Sequence, residues 1–447
     1  APVTTDAATA PDKQQQRARL VPLAVLQVSS GMPYGFLITG AFAVFLRGAD
    51  VSLTAIGLLS LVSLPWNLKF LWAPIVDRYA LTWPDRRRSW LLISQVACSI
   101  GFIAIAALVF FAQRGGGAFD GTLLLVLAGI ALFIAFAGAT QDIAVDAFAV
   151  EYLRPNEQGP ASGLRTMFWR IGFLLTAGAA VFLADPIVWE KLGITVGKNE
   201  IWPWVFAAIA LLFLPLLWLT VRCPPAERPA DPPRSLGKAV VEPLANFFGR
   251  PGALWLAAFL FFYKFGDNLS SSMWIPFLVD KGITRAEIGI LSKTLGSAAV
   301  VIGATAGGAL IPRLGLGRSL WIFGVVQGLS SGFYALASYA GGARWSVYLA
   351  IVGENVAIGL GTPALLTVCL RACEKRLGAT QYALLSSIFA LGRWATGPPA
   401  GMIAEGSGYT ALFLCGIAAA LPGLLILQVI APIHQRDVIS PAIPKEA

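Results

Sequence analysis

Long apolar runs, broken by short polar segments, recur along the whole chain. They fall near 21–46, 53–76, 89–112, 121–148, 161–184, 201–221, 252–279, 286–312, 319–340, 345–370, 380–404 and 408–433. Each is close to the roughly 20 residues a helix needs to cross a bilayer. None alternates every second residue in segments of about ten, as the strands of an outer-membrane barrel would. The pattern predicts an all-α integral membrane protein of twelve transmembrane helices. Residues 1–20 are polar, and the first apolar run is too long for the core of a signal peptide. The longest polar stretch, 222–250, carries Pro224, Pro225, Pro229, Pro232 and Pro233, then a short amphipathic helix over 236–248. It divides the spans six and six.

The halves repeat in sequence. Ala55-Ile-Gly-Leu-Leu-Ser60 follows the first span and Glu287-Ile-Gly-Ile-Leu-Ser292 the seventh, an offset of 232 residues. Asp77-Arg78 with Arg86-Arg87-Arg88 after span two is echoed by Arg313 and Gly317-Arg318 after span eight. Two pseudo-symmetric six-helix bundles are expected, 21–221 and 251–433. The linker 222–250 joins them, and tails 1–20 and 434–447 flank them. Internal repeats of this kind mark transporters, with the site near the midplane between the repeats.

Composition narrows the class. The chain is 57% hydrophobic and 13% charged, with mean hydropathy +0.71. That excludes a soluble enzyme, a disordered protein and a disulfide scaffold. The five cysteines (98, 223, 369, 373, 415) show no CxxC spacing and read as inert thiols, and His434 is the only histidine. No metal site and no cofactor are expected. The net charge of +9 is an orientation signal rather than a nucleic-acid footprint. Of 33 Lys and Arg residues, 20 fall on the side of the N-terminus and 7 on the other. Both termini and the linker are therefore expected in the cytoplasm.

Six basic residues remain inside spans, Lys69, Arg165, Arg170, Lys264, Lys293 and Arg393, and four acids join them, Asp142, Asp146, Asp267 and Glu354. Each would cost roughly 2.5–3.5 kcal/mol facing lipid, so they face one another or a wet cavity. Lys69, Asp146 and Arg165 lie toward the cytoplasmic ends, and with Asp77 and Arg78 they read as a gating or structural network. Deeper charges form stripes at helical spacing. Lys264, Asp267, Asn268 and Ser271 share a face of span seven, and Gln27, Ser30 and Tyr34 a face of span one. Gly138, Asp142 and Asp146 share a face of span four, and Ser386, Arg393 and Gly397 one of span eleven. Span ten carries Glu354-Asn355. Gly31-Met-Pro-Tyr-Gly35, Gly359-Leu-Gly-Thr-Pro363 and Gly397-Pro-Pro399 interrupt spans one, ten and eleven, as kinks that line a cavity or as sites of close packing.

Three segments carry a family resemblance: Leu68-Lys-Phe-Leu-Trp-Ala-Pro-Ile-Val-Asp-Arg-Tyr79, Ala139-Thr-Gln-Asp-Ile-Ala-Val-Asp-Ala147 and Phe262-Tyr-Lys-Phe-Gly-Asp267. The basic loop after span two looks like that of the major facilitator superfamily, stretched by Tyr79–Asp85. Together they resemble the AmpG family of muropeptide permeases and the related acetyl-CoA transporters. Some AmpG permeases are longer, with extra C-terminal helices. The resemblance implies proton-driven import of anhydro-muropeptides by alternating access, in support of cell-wall recycling. It singles out Asp142, Asp146, Lys264 and Asp267.

A muropeptide offers carboxylates, amides and sugar hydroxyls. Arg170, Lys264 and Arg393 are the expected anion contacts. Gln27, Tyr34, Gln141, Asn268 and Asn355 would hold polar groups, and Trp169 or Trp274 would stack on sugar. With no histidine in a span, a carboxyl must carry the proton: Asp142, Glu354 or Asp267, in that order. The expected partners are a small amphipathic anion, protons and lipid, with the chain a monomer. Siderophore or acyl-CoA transport on the same fold is the alternative, and a membrane-embedded enzyme a remote one, since no catalytic cluster stands near an interface.

Overall fold

The computed structural model describes residues 13–438, apart from 39–40, 52–59, 80–82, 116–120, 192, 198–199, 226–235, 284–286, 288–290 and 434. The repeated segments after spans one and seven therefore lie largely outside the described residues, as does His434. The described chain is helical throughout, without a strand. Among the described residues, nine helices are long and apolar enough to cross a membrane, and a tenth follows if the bent pair Val241–Phe248 and Ala253–Asp280 is one span. One of the nine, Lys375–Ile430, has 56 residues, far more than one crossing needs. Gly408, with φ +82°, interrupts it at a kink. Span two is built of short pieces over Ser60–Ser63, Leu64–Leu68, Lys69–Leu71 and Ala73–Arg78. With these, helical segments stand at each of the twelve expected positions.

Spans three to six are Arg86–Arg114, Gly121–Tyr152, Gln158–Ala184 and Trp202–Arg222. Spans eight to ten contain Gly296–Leu314, Leu316–Tyr339 and Arg344–Ala372, and span eleven begins with Gly378–Ala395. The linker helix is Leu236–Phe248, as its apolar spacing suggested. Asp85 caps span three, accepting from the backbone N–H groups of Arg87 and Arg88 at 3.0 Å.

The breaks are not where Gly and Pro placed them. Helix Lys13–Ile38 runs through Gly31 and Pro33, and Arg344–Ala372 runs through Gly359 and Pro363. Their glycines serve close packing instead. A Cβ on Gly35 would stand 2.5 Å from the Phe173 carbonyl oxygen of span five, and one on Gly359 2.8 Å from the Ala304 nitrogen of span eight. Only Gly397 adjoins an interruption, at Thr396. Span seven breaks at Lys264 and again at Met273.

The apolar core shows how the halves meet. On the face carrying the termini, one continuous core joins Leu23 and Phe148 of the first half to Leu256, Phe323 and Leu365 of the second. Toward the opposite face it divides. One core gathers Phe36, Phe102 and Phe206, and another Phe277, Tyr334 and Phe413. Glycines tighten the shared side. A Cβ on Gly163 of span five would lie 2.7 Å from the Ala304 oxygen and 2.9 Å from the Gly308 Cα of span eight. The halves are closed against each other on the terminal face.

Candidate functional site

Span four turns Asp142 and Asp146 to one side, one helical turn apart. Lys69, buried at the 3₁₀ break of span two, reaches both: Nζ is 2.5 Å from Asp142 Oδ2 and 3.5 Å from Asp146 Oδ2. Ser30 donates to Asp142 Oδ1 at 2.7 Å. Arg165 of span five pairs with Asp146. With the Gln27 amide oxygen turned toward it, Arg165 also donates to that oxygen at 2.7 and 3.0 Å. Two cations thus balance two acids across spans one, two, four and five. Asp142, first in order as the coupling acid, is tied into the network from which the sequence reading separated it. Gln27 is likewise occupied by Arg165.

A second network locks the halves on the terminal face. Asp77 is fully buried and accepts from Arg87 Nη2 at 2.7 Å. It also accepts from the Ala379 and Thr380 backbone N–H groups at 3.2 and 2.8 Å, and from Thr380 Oγ1 at 2.7 Å. An acid from the first half therefore caps the N-terminus of span eleven in the second. Arg87 further donates to the Val76 oxygen at 3.0 Å and through Nε to Glu151 at 2.9 Å, and Arg86 also pairs with Glu151. Arg78 lies over the Tyr79 ring at 5.9 Å. Arg87, Glu151 and Thr380 were missed as members of this network, because a basic loop read as a repeat echo, a family motif and an orientation signal names no partner.

Between the halves, Arg170 of span five and Arg393 of span eleven come near enough for their charges to repel. Neither has an acidic partner among the described residues. The Arg170 guanidinium lies 5.0 Å from the centre of the Phe173 ring, and Tyr34 stands beside it. Tyr34 in turn contacts Trp169 and Trp66, both at 5.4 Å between ring centres. Trp66 was not singled out by sequence. Its ring fills the space that Gly138 leaves open. Unpaired guanidinium groups next to half-buried aromatic faces suit an anion that carries a sugar or other flat apolar surface.

The other expected binding residues divide. Lys264 Nζ lies 3.4 Å from Asp267 Oδ2 and donates to Thr362 Oγ1 at 3.2 Å. Asn268 is half-buried, with its Nδ2 unpartnered. Asn355 donates to the Ile351 oxygen at 2.8 Å within its own helix. Gln141 does not reach the space between the halves. It is buried within the first half and donates to Ser29. Trp274 also departs from expectation. It stacks on Tyr334 at 4.2 Å and packs on Phe277 and Phe413, so core side chains cover its faces and none is left for a sugar. Nothing in a single sequence distinguishes a core tryptophan from a cavity one at the same depth.

The match to known proteins runs through most of the chain. Residues 23–380 match the model of the Major Facilitator Superfamily. The Anhydromuropeptide permease of Escherichia coli K12 is 36% identical over 93% of this chain and 80% of its own length. Putative transporter AmpG 4 of Rickettsia conorii is 29% identical, over 92% of this chain and 96% of its own. Among solved structures, the proton:xylose symporter XylE superposes with a TM-score of 0.70 at 11% identity, covering 96% of this chain and 99% of XylE. FucP in the outward conformation gives 0.64 at 13%, covering 92% and 99%. These two likenesses concern the fold alone.

Proposed function

The chain belongs to the major facilitator superfamily and, within it, to the AmpG-like permeases, and from that premise we propose that it imports anhydro-muropeptides together with protons. The substrates are N-acetylglucosaminyl-anhydro-N-acetylmuramic acid and its peptides, taken from periplasm to cytoplasm for cell-wall recycling. The protein is a multi-pass membrane transporter of small molecules. It sits in the bacterial inner membrane with both termini in the cytoplasm, and the state described here, closed on the terminal face, is the outward-facing one.

The carrying observation is the pair Arg170 and Arg393, two guanidinium groups between the halves without acids among the described residues, in a chain 36% identical to an anhydromuropeptide permease. A carboxylate of the muropeptide bridges the two, and Tyr34, Trp66 and Trp169 face the sugar rings. The substrate supplies the negative charge the site lacks, so its binding relieves repulsion between the halves and favours their closure around it. The proton enters on a carboxyl within the spans.

Uptake into proteoliposomes tests this reading. Arg170→Ala and Arg393→Ala each lower anhydro-muropeptide uptake by about tenfold or more, the worth of one charge-assisted hydrogen bond of about 1.5–3 kcal/mol. Unlabelled muropeptide competes with labelled muropeptide, while free peptide, siderophore and coenzyme A do not. Competition by a siderophore or coenzyme A, with none by muropeptide, overturns the substrate.

A further inference from the structure

The second half holds a polar cluster apart from Arg170 and Arg393. Asp267 of span seven and Glu354 of span ten face each other, 5% and 0% exposed. Among the described residues, Lys264 alone offers both a positive charge. It stands 3.4 Å from Asp267 Oδ2, and Gln327 Nε2 of span nine lies 3.4 Å from the same oxygen. Asp267 Oδ1 and both Glu354 oxygens meet no donor. Ser330 lies beside Glu354, but its hydroxyl donates to the Gln327 carbonyl at 2.7 Å. Tyr334 of span nine is the other titratable neighbour, and the side chain of Lys293 on span eight lies outside the described residues.

Two ionised carboxyls against one ammonium would leave a buried negative charge uncompensated, which is strongly unfavourable. One proton placed between them removes that charge and provides the donor that the orphaned oxygens lack. Two acids sharing a site cannot both ionise readily.

The first half shows that packing alone does not require acids here. The offset of 232 that relates the repeats also carries Gln95 of span three onto Gln327 of span nine. Around Gln95 the set is uncharged. Gln95 Nε2 donates to Ser29 at 3.2 Å, Gln141 donates to the same hydroxyl, and Thr220 donates to Gln95 Oε1 at 3.0 Å. Amides and hydroxyls join spans one, three, four and six, whereas a carboxyl pair joins spans seven, nine and ten.

We propose that Asp267 and Glu354 form one proton-binding site, a carboxyl and a carboxylate sharing a proton, and that this site rather than Asp142 carries the coupling proton. The assignment rests on the transporter reading above. When the proton leaves to water, Lys264 is, among the described residues, the only cation left to both acids. It is drawn from Thr362 of span ten onto the pair, which exchanges one contact between spans seven and ten for another. Reprotonation releases it. Proton occupancy thereby changes the contact between two spans of the same half.

Infrared spectroscopy of the purified protein tests the site without any substrate. The wild-type protein should show the carbonyl stretch of a protonated carboxylic acid near neutral pH. Both Glu354→Gln and Asp267→Asn should remove it, because either acid left alone with Lys264 ionises. Asp142→Asn should retain it. A band that survives in both single variants, or that disappears in Asp142→Asn only, overturns the proposal. In proteoliposomes, Glu354→Gln should keep muropeptide counterflow and lose proton-driven accumulation, so that inside and outside concentrations become equal. Gradient-driven accumulation by Glu354→Gln also overturns it. Absence of muropeptide transport by the wild-type protein would instead fail the substrate reading and leave the infrared result standing.

Discussion

Lys69 balances two acids at once, and that makes it the residue on which the first half's interior most depends. Removing it strands Asp142 and Asp146 with Arg165 alone. Breaking a buried pair by deleting one partner costs about 3–5 kcal/mol, mostly the penalty of the charge left behind. Lys69→Ala is therefore expected to lower the unfolding temperature in detergent sharply, and adding Asp142→Asn should restore part of the loss. A double variant no more stable than the single one would mean that the pair is not coupled. The sequence marked Lys69, Asp142, Asp146 and Arg165 as charges needing partners, because a lone charge in lipid is too costly. It did not show who partners whom. Lys69 and Asp142 are 73 residues apart, and a pairing across two helices has no local signal. Trp274 illustrates the same limit: its depth was legible, but its covered faces were not.

Glycines carry the packing at the scale of helices. Gly163 lies against Ala304 and Gly308 so closely that any side chain would push spans five and eight apart. Gly163→Val is expected to weaken closure of the terminal face, because overpacking costs about 1–3 kcal/mol. Spin labels on the loop ends of spans four and ten should then report a larger share of molecules with separated halves. An unchanged distance distribution would show that span five tolerates the bulk. Sequence reading treated the Gly-Pro segments of spans one and ten as kinks or as close packing with equal right. The structure decides for packing, since both helices run through their prolines. Two of the breaks that do occur, at Lys69 and Lys264, coincide with buried charges, where an irregular backbone turns a long side chain inward.

Across the whole molecule, one acid and one helix end clasp the halves on the terminal face, beside the core they share. Asp77 receives four hydrogen bonds, three of them from Ala379 and Thr380 of the opposite half. Asp77→Asn removes the charge that the span-eleven N-terminus and Arg87 both favour. The equilibrium should shift toward opening of that face by about tenfold, equivalent to about 1.4 kcal/mol. Ser162 is buried at the contact with Thr367, 3.2 Å away. In a background without the five native cysteines, Ser162→Cys should react with a small maleimide faster once Asp77→Asn is added. Equal rates would show that the cap does not hold the face closed.

Hydrophobic periodicity by itself determined the class of this protein, its helix positions and which charges needed partners. Each follows from the cost of exposing polar or charged groups to lipid, and that cost is local to the chain. The AmpG-like motifs added the family. Tertiary structure alone decided how those charges were divided. Among the described residues, Lys69 and Arg165 neutralise Asp142 and Asp146, whereas Arg170 and Arg393 are left without acids and Asp267 and Glu354 with one ammonium between them. Partition of this kind depends on which helix faces meet, and helices far apart in sequence meet only after the halves have packed.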